Sequence, residues 1–375
     1  MSETKTLQVM YDEKLVGTLA MASGHKVAFQ YSEEWLEDGF SISPFSLPLK
    51  KQVFVPTKDY FAGLFGVFAD SLPDNWGRLL LNRLIRAHKQ DPDKLTMIDR
   101  LAIVGRSGMG ALTYYPEKSF DEETGKLNLD ELAEECQKIL NTEYSDKLDE
   151  LYCLGGTSGG ARPKIMTTIH GEEWIIKFPA HIDGKDIGKM EYEYSCCARQ
   201  CKIAMSETKL FPSDRCKGYF GTKRFDRRPG GKRIHMLTAA ALLELDFEQP
   251  SLDYHSLMKL TKILTRDNEK DVENMFRRMC FNVFAHNRDD HSKNFTYLYD
   301  ETGDRWNLSP AYDLTYSNTY YGEHTTTVDG NGRNPGRKEL LAVGMTAGMK
   351  KSACERIIDE IQTCVIQMLG EYLKK

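Results

Sequence analysis

The sequence predicts an α+β protein made of a small N-terminal α+β subdomain, a β-rich lobe and a mainly helical C-terminal lobe. Three observations carry this. Short strand-like runs separated by Gly-rich turns dominate the first part of the chain. From His235 onward, amphipathic helical periodicity takes over. Between a helical run and a strand-like run lies A-H-N-R-D-D-H-S-K-N, Ala285 to Asn294, with two acids, two His, two Asn, an Arg and a Lys within ten positions. The divisions that follow are a subdomain over 1–120, a connecting helix and linker over 121–150, the β-rich lobe over 151–228 and the helical lobe over 229–375.

The totals bound the class. At 375 residues, 41% hydrophobic and 28% charged, the chain is long enough for two or three cores. A net charge of -5 gives no overall attraction to nucleic acid. The nine cysteines are odd in number and show no C-x-x-C or Cys/His spacing, which suits a reducing compartment. Cys196, Cys197 and Cys201 crowd one helical pattern and read as small apolar packing residues. The N-terminus M-S-E-T-K-T has no apolar signal core, and no apolar run approaches the ~18 residues of a membrane span. The expectation is a soluble cytoplasmic protein with no membrane partner.

The elements read in order as follows. Thr6 to Met10 and Val16 to Ala20 form two strands around a polar turn. Pro73-Asp74 starts a helix that puts Leu79, Leu80, Leu84 and Ile85 on one face. A second helix fits Lys94 to Val104, with Gly105 as its C-cap, and Arg106 to Tyr115 turns and runs out as a strand. Asp121 to Gly125 is an acidic turn, Leu127 to Ile139 an amphipathic helix, and Thr142 to Glu150 a polar linker. Strands follow at Lys164 to Ile169 and Trp174 to Phe178, around a turn at His170-Gly171. A helix covers Met190 to Cys201, and strands lie near Thr208 to Phe211 and Tyr219 to Phe225. Helices are expected over His235 to Leu245, Leu252 to Thr265, Glu269 to Ala285 and Lys351 to Leu373. A β-hairpin spans Phe295 to Leu308.

The chemistry begins at Asp289. Four residues separate it from Asn294, the spacing between catalytic base and metal ligand in a protein-kinase catalytic loop. Such a loop needs other parts, and the chain offers candidates in the matching order. Gly155, Gly156, Gly159 and Gly160, with Thr157 and Ser158 between them, form a Gly-rich segment whose backbone N–H groups can approach phosphate oxygens. It is not a Walker A loop, because Ala161-Arg162 stands where Lys-Ser/Thr is required. Lys177 lies in the strand W-I-I-K-F-P, where a kinase keeps the cation that neutralises nucleotide phosphates. Glu191 and Glu193 on the following helix qualify as its acidic partner. Asp313, in S-P-A-Y-D-L after the hairpin, stands where a kinase keeps its metal-chelating Asp.

Each part has a plainer reading. The Gly-rich segment alone could be a surface loop, Lys177 a solvated strand residue, and Asp289 and Asp290 a helix cap and a solvated acid. Arg288 could form a surface salt bridge. His286, Asp290 and His291 could instead hold a divalent metal in a hydrolase, a reading that no further His cluster supports. The order of the parts favours the kinase-like, two-lobed core.

Larger segments carry a family likeness. Tyr11 to Leu19, Phe68 to Arg78 (F-A-D-S-L-P-D-N-W-G-R), Val104 to Leu112 and Gly155 to Lys164 (G-G-T-S-G-G-A-R-P-K), with I-I-K-F-P, K-R-F-D-R, R-D-D-H-S-K-N-F and L-S-P-A-Y-D-L, resemble the HipA-like serine/threonine kinases of bacterial toxin-antitoxin modules. The resemblance covers most of the chain. It implies ATP and Mg²⁺ as cofactors, Asp289 as catalytic base, Asn294 and Asp313 as metal ligands, and Lys177 on the ATP phosphates. It implies nucleotide contacts from residues 155–160, from His291, and from Lys223 to Phe225 at the adenine. Lys223 stands where some relatives have an acid, which points to Phe225 and the backbone there. Thr157 and Ser158 are the implied autophosphorylation candidates. A HipB-like DNA-binding antitoxin is the implied partner, with DNA reached only through it, and an aminoacyl-tRNA synthetase or another translation protein is the implied substrate. Two alternatives remain beside this one: a kinase-fold binding module that holds the antitoxin, and a kinase for a non-protein acceptor.

Overall fold

The computed structural model describes residues 5–118, 128–180, 183–246, 249, 251–319 and 321–374. The expected acidic turn at 121–125 lies outside them. The chain divides into two compact units: residues 1–188, 209–237 and 241–244 in the first, and 189–208, 238–240 and 245–375 in the second.

In the first unit, strands β1 (Thr6–Tyr11), β2 (Lys14–Met21), β3 (Val27–Tyr31), β4 (Val53–Phe54) and β5 (Leu112–Tyr115) form an antiparallel sheet in the order β4-β3-β2-β1-β5. Burial alternates along β1, with Leu7, Val9 and Tyr11 inward, as a sheet with one covered face requires. Helices α1 (Glu33–Asp38), α2 (Gly66–Ala69), α3 (Asn75–Ala87) and α4 (Met97–Val104) complete this part. The expected face of α3 is buried at Leu80, Leu84 and Ile85, joined by Leu81. Helix α4 begins at Met97, later than the pattern suggested, because Thr96 and Asp99 close a capping box there. Gly105 ends it with φ 49°, in the left-handed region.

Helices α5 (Leu129–Leu140) and α6 (Leu148–Gly155) follow, and α6 is a correction. Its first turn falls within the expected polar linker, because Asp149 and Glu150 stand at the helix start, where acids are favourable, and hide the apolar pattern that begins at Leu151. Strands β6 (Lys164–Ile169), β7 (Glu172–Lys177), β8 (Thr208–Phe211) and β9 (Tyr219–Lys223) form a second sheet in the order β6-β7-β9-β8. One core joins α3, α5 and α6 to this sheet, through Trp76, Leu80, Leu84, Cys136, Leu151, Ile165, Trp174, Ile176 and Tyr219.

Helix α7 (Ile187–Gln200) enters the second unit at Lys189. The helix expected over 235–245 is instead a strand, β10 (Met236–Thr238), then a short helix, α8 (Ala239–Leu243). His235 is buried with a ring nitrogen 2.8 Å from the Ile42 carbonyl, which anchors the start of this extended stretch. Helices α9 (Tyr254–Leu264) and α10 (Glu269–Phe284) lead to the hairpin β11 (Thr296–Asp300) and β12 (Arg305–Leu308). Then come α11 (Arg337–Thr346), which the sequence reading passed over, and α12 (Lys351–Leu369), which stops short of the expected residue 373. Helix α10 packs against α9, α11 and α12. On α12, Cys354, Ile357, Ile358, Ile361, Val365 and Leu369 make the buried stripe. Among the described residues, no helix is long and apolar enough to cross a membrane.

Candidate active site

The segment after α10 is fixed from both sides. Ala285 caps the helix, His286 turns the chain with φ 52°, and Asn287 is held through its side chain by Asn282, 2.9 Å away on α10. Backbone bonds from Arg288 to the Ser317 carbonyl and from Thr325 to the Arg288 carbonyl bind the strand-like exit.

The two neighbouring acids then part. Asp290 is buried, with its carboxylate accepting from the Tyr254 hydroxyl at 2.9 Å and the Thr326 amide at 3.1 Å and lying 3.0 Å from His324 Nδ1. The solvated acid considered from sequence is therefore a structural hub. Burial, with the carboxylate beside it, holds the Tyr254 phenol well above its usual pKa and keeps it a donor. Asp289 points the other way: its side chain is 58% exposed, the His291 Nε2 lies 3.9 Å from it, and its main-chain carbonyl accepts from Asn294 Nδ2 at 2.7 Å. His291 caps the short turn Ser292–Asn294, its Nδ1 accepting from the Lys293 amide.

The hairpin β11–β12 delivers Asp313. Buried Arg278 donates to the Ser309 carbonyl, and the Ala311 amide donates to the Ala204 carbonyl at 2.7 Å. The Tyr312 hydroxyl donates to the Lys293 carbonyl at 2.5 Å and lies 2.6 Å from Thr296 Oγ1, which ties the Asp313 segment to the loop carrying Asn294. Asp313 has φ 53°, a left-handed conformation that a non-glycine residue keeps only where its surroundings impose it. Asp289, His291, Asn294 and Asp313 thus share one hydrogen-bonded framework in the second unit. The hydrolase set does not gather: the His286 ring lies tilted against Tyr316, with centroids 6.2 Å apart, while Asp290 is committed to Tyr254 and His324.

In the first unit, the Gly-rich segment is divided. Gly155 ends α6 and Gly156 caps it, so these two glycines lie at a helix C-terminus, where carbonyls and not amides are exposed. The Ser158 amide donates to the Gly155 carbonyl, and the Gly160 amide donates to the Asp74 carboxylate. The Thr157 hydroxyl donates to the Ser107 carbonyl at 2.9 Å and the Ser158 hydroxyl to the Gly155 carbonyl at 2.6 Å, and both residues are buried. Gly77 on α3 lies where a Cβ would strike the Gly156 carbonyl, so only glycine allows this approach. Lys164, buried at the start of β6, donates to the Gly159 carbonyl. It pairs in register with Lys177, whose ammonium lies 5.6 Å from the centre of the Phe220 ring.

Sequence reasoning takes Asp74 only as a helix start and Asp290 only as a solvated acid or a hydrolase ligand, and gives Lys164 no role. Lys164 had a signal, as the cation ending G-G-A-R-P-K. Asp290 had none that separated it from Asp289.

The hinge candidates lie at and after β9. Lys223 pairs with Glu172, and Phe225 is half-buried. Their neighbours form a buried ion cluster: Arg224 holds Asp226 through two bonds of 2.9 and 2.8 Å, and Arg227 adds a third at 2.7 Å. Burial alone would raise Asp226, but the two guanidiniums outweigh it and keep the acid below its usual range. In the second unit, Glu191 is buried, and Glu193 pairs with Lys189 at 2.5 Å and with the Tyr372 hydroxyl.

The chain is similar to several known proteins. It is 24% identical to Y4mE of Sinorhizobium fredii over 346 residues, covering 84% of this chain and 78% of that protein. It is 23% identical to Y4dM of the same organism over 351 residues, covering 88% and 81%. Its fold matches HipA of Shewanella oneidensis MR-1, solved in complex with HipB and operator DNA, with a TM-score of 0.73 at 17% identity, over 98% of this chain and 90% of that one. The model of the HipA N-terminal domain matches residues 7–115 and that of the HipA-like C-terminal domain matches residues 156–368. With that second match alone spanning more than half of its length, the chain belongs to the HipA family.

Proposed function

We propose that this protein is a serine/threonine protein kinase that uses ATP and Mg²⁺ and acts as the toxin of a toxin-antitoxin module. The observation that carries the reading is the division of labour at Asp289-Asp290: Asp289 is exposed and braced by Asn294, while Asp290 is buried and spent on structure. Family membership and the provisional kinase designation in the names of Y4mE and Y4dM support it.

The donor set suits magnesium. Asn294 commits its Nδ2 to Asp289, which leaves the amide oxygen for a cation, and Asp313 adds a carboxylate; both are hard oxygen ligands. Bound with Mg²⁺, ATP supplies the phosphoryl group. Asp289 accepts the proton of the attacking hydroxyl, and Lys177 neutralises phosphate charge. Phosphoryl transfer asks a protein chiefly for such positioning and charge stabilisation. Residues 155–160, His291 and Phe225 are assigned to nucleotide contacts, and Thr157 and Ser158 remain the autophosphorylation candidates. The partner is a HipB-like antitoxin, through which the protein reaches DNA, as the HipA complex with HipB and operator DNA suggests. A translation protein such as an aminoacyl-tRNA synthetase is the proposed substrate, in the cytoplasm.

A second reading, a kinase-fold chain that holds an antitoxin without essential catalysis, draws on the closed state of the Gly-rich segment, where the Ser158 and Gly160 amides are already paired. One experiment separates the two. The purified chain and its Asp289→Asn variant are incubated with ATP, Mg²⁺ and a bacterial lysate, and phosphorylated residues are mapped by mass spectrometry. Phosphoserine or phosphothreonine formed only by the wild type supports the kinase. No new phosphorylation with either protein removes the protein-kinase reading and favours the binding module.

A further inference from the structure

Three sulfurs converge in the second unit, none of them among the residues assigned above. Cys197 and Cys201 come one turn apart on α7 and just beyond its end, and Cys364 comes from α12, 167 residues further along the chain than Cys197. The Cys197 and Cys364 Sγ atoms are 3.9 Å apart, and the three Sγ atoms all lie within 4.8 Å of one another. Among the described residues this is the one group of three or more His, Cys, Asp or Glu whose ligand atoms gather so closely. A fourth sulfur, the Met368 thioether, lies 3.7 Å from Cys364 Sγ.

The spacing fits a bound ion. With a metal–sulfur bond of ~2.3 Å, three sulfurs around one ion stand about 4.0 Å apart in a trigonal plane, close to the 3.9 Å of Cys197 and Cys364. The donors are all soft: thiols with a thioether beside them and no imidazole or carboxylate among them, the set that selects copper(I) over harder ions. Zinc would want a fourth N, O or thiolate ligand, which the cluster lacks. Cys197 and Cys201 are buried, while Cys364 is half-buried and Met368 is 45% exposed, so the site has a solvent-facing entry. The Arg277 guanidinium donates to the Cys201 carbonyl at 3.1 Å and is itself paired with Glu273 and Glu360, which fixes the end of α7. A disulfide would use two of the sulfurs and leave the third without a role.

We infer that Cys197, Cys201 and Cys364 form a soft-metal site that takes a single monovalent d¹⁰ cation, copper(I), with the Met368 thioether on its rim. Binding replaces three S–H protons with one ion and pins α7 to α12. It involves no change of oxidation state, and the three protons go to solvent.

The test uses the full chain, reduced and free of oxygen, titrated with copper(I) held by the coloured chelator bathocuproine disulfonate. The expected result is one copper withdrawn per chain, with thiolate-to-metal absorption appearing in the ultraviolet. Cys364→Ser, at a half-buried position, should weaken uptake by more than the about 10- to 100-fold that loss of a supporting contact brings. Met368→Leu should weaken it by less than Cys364→Ser does. Cys153→Ser and Cys196→Ser should leave it unchanged. Circular dichroism of each variant checks that it folds. No copper withdrawn by the wild type, equal uptake by Cys364→Ser, or preference for zinc(II) over copper(I) would each overturn the assignment.

Discussion

Asn294 donates its side-chain amide to the main-chain carbonyl of Asp289 at 2.7 Å, so the residue five places beyond the candidate base braces the backbone that presents it. The same bond orients Asn294, because an amide that spends its N–H₂ on the protein offers its oxygen elsewhere. The buried neighbour Asp290 supports the pair from beneath, and this arrangement separates reactivity from stability.

Asp290→Ala should therefore destabilise the second unit by about 3 kcal/mol, because it leaves the Tyr254 hydroxyl and the Thr326 amide buried without their acceptor. Asp289→Ala, at an exposed carboxylate, should change stability by less than about 0.5 kcal/mol. Denaturant midpoints of the two variants, measured side by side, check this. Equal losses would refute the division between the acids.

Asp74 should act as a latch on the Gly-rich segment. Its carboxylate accepts from the Gly160 amide, while the Gly160 carbonyl accepts from the Trp76 amide at 3.2 Å. Asp74→Ala should raise hydrogen exchange across residues 155–160 by about tenfold or more, the loss of roughly 1.4 kcal/mol of local protection. Exchange within α3 should stay as it is. An unchanged rate across 155–160 would mean that other contacts hold the segment.

Gly77→Ala sets two effects against each other. Alanine is the better helix former by about 1 kcal/mol. The added methyl, however, meets the Gly156 backbone carbonyl and comes within 2.6 Å of Cβ in the rigid Pro73 ring, and neither can yield easily. Overpacking of this kind costs about 1–3 kcal/mol, so a net loss is expected, visible as a lower Tm. A rise in Tm would show that α3 and α6 can move apart freely.

The first unit should weaken in mild acid. Burial holds His235 down to about 4, although its bond to the Ile42 carbonyl opposes the shift. The folded pKa lies below the unfolded value, so the stability from keeping this ring neutral is present above about pH 6.5 and is lost as pH falls toward 4. The loss from this one group is about 2 kcal/mol by pH 5. His235→Gln should flatten the decline in urea midpoint between about pH 7 and pH 5. An equally steep decline in the variant would assign the effect to other groups.

Parts of this were legible in the sequence because they depend on local spacing. The turn at His170-Gly171, the strands around it, the hairpin before Asp313 and the Asp289-to-Asn294 interval all follow from short-range pattern. The roles of the two acids did not. Asp290 is buried by Tyr254, His324 and Thr326, each more than thirty positions away, and nothing in R-D-D-H separates it from its neighbour. The Gly-rich run shows the same limit. Its composition suggested one phosphate-cradling loop, yet apolar residues upstream draw Gly155 into α6, and Asp74 ties down Gly160. Cys364 joins Cys197 and Cys201 only through the packing of α12 on the second unit.

The central claim, that Asp289 performs chemistry and does not hold the fold, is tested most directly by the rate of phosphoryl transfer from ATP in the presence of Mg²⁺, measured for the wild type and for Asp289→Asn at matched Tm. A positioned base contributes about 10²- to 10⁴-fold, so the variant should lose at least about a hundredfold in rate while melting at the wild-type temperature. Transfer within twofold of wild type by a folded Asp289→Asn protein would contradict the account.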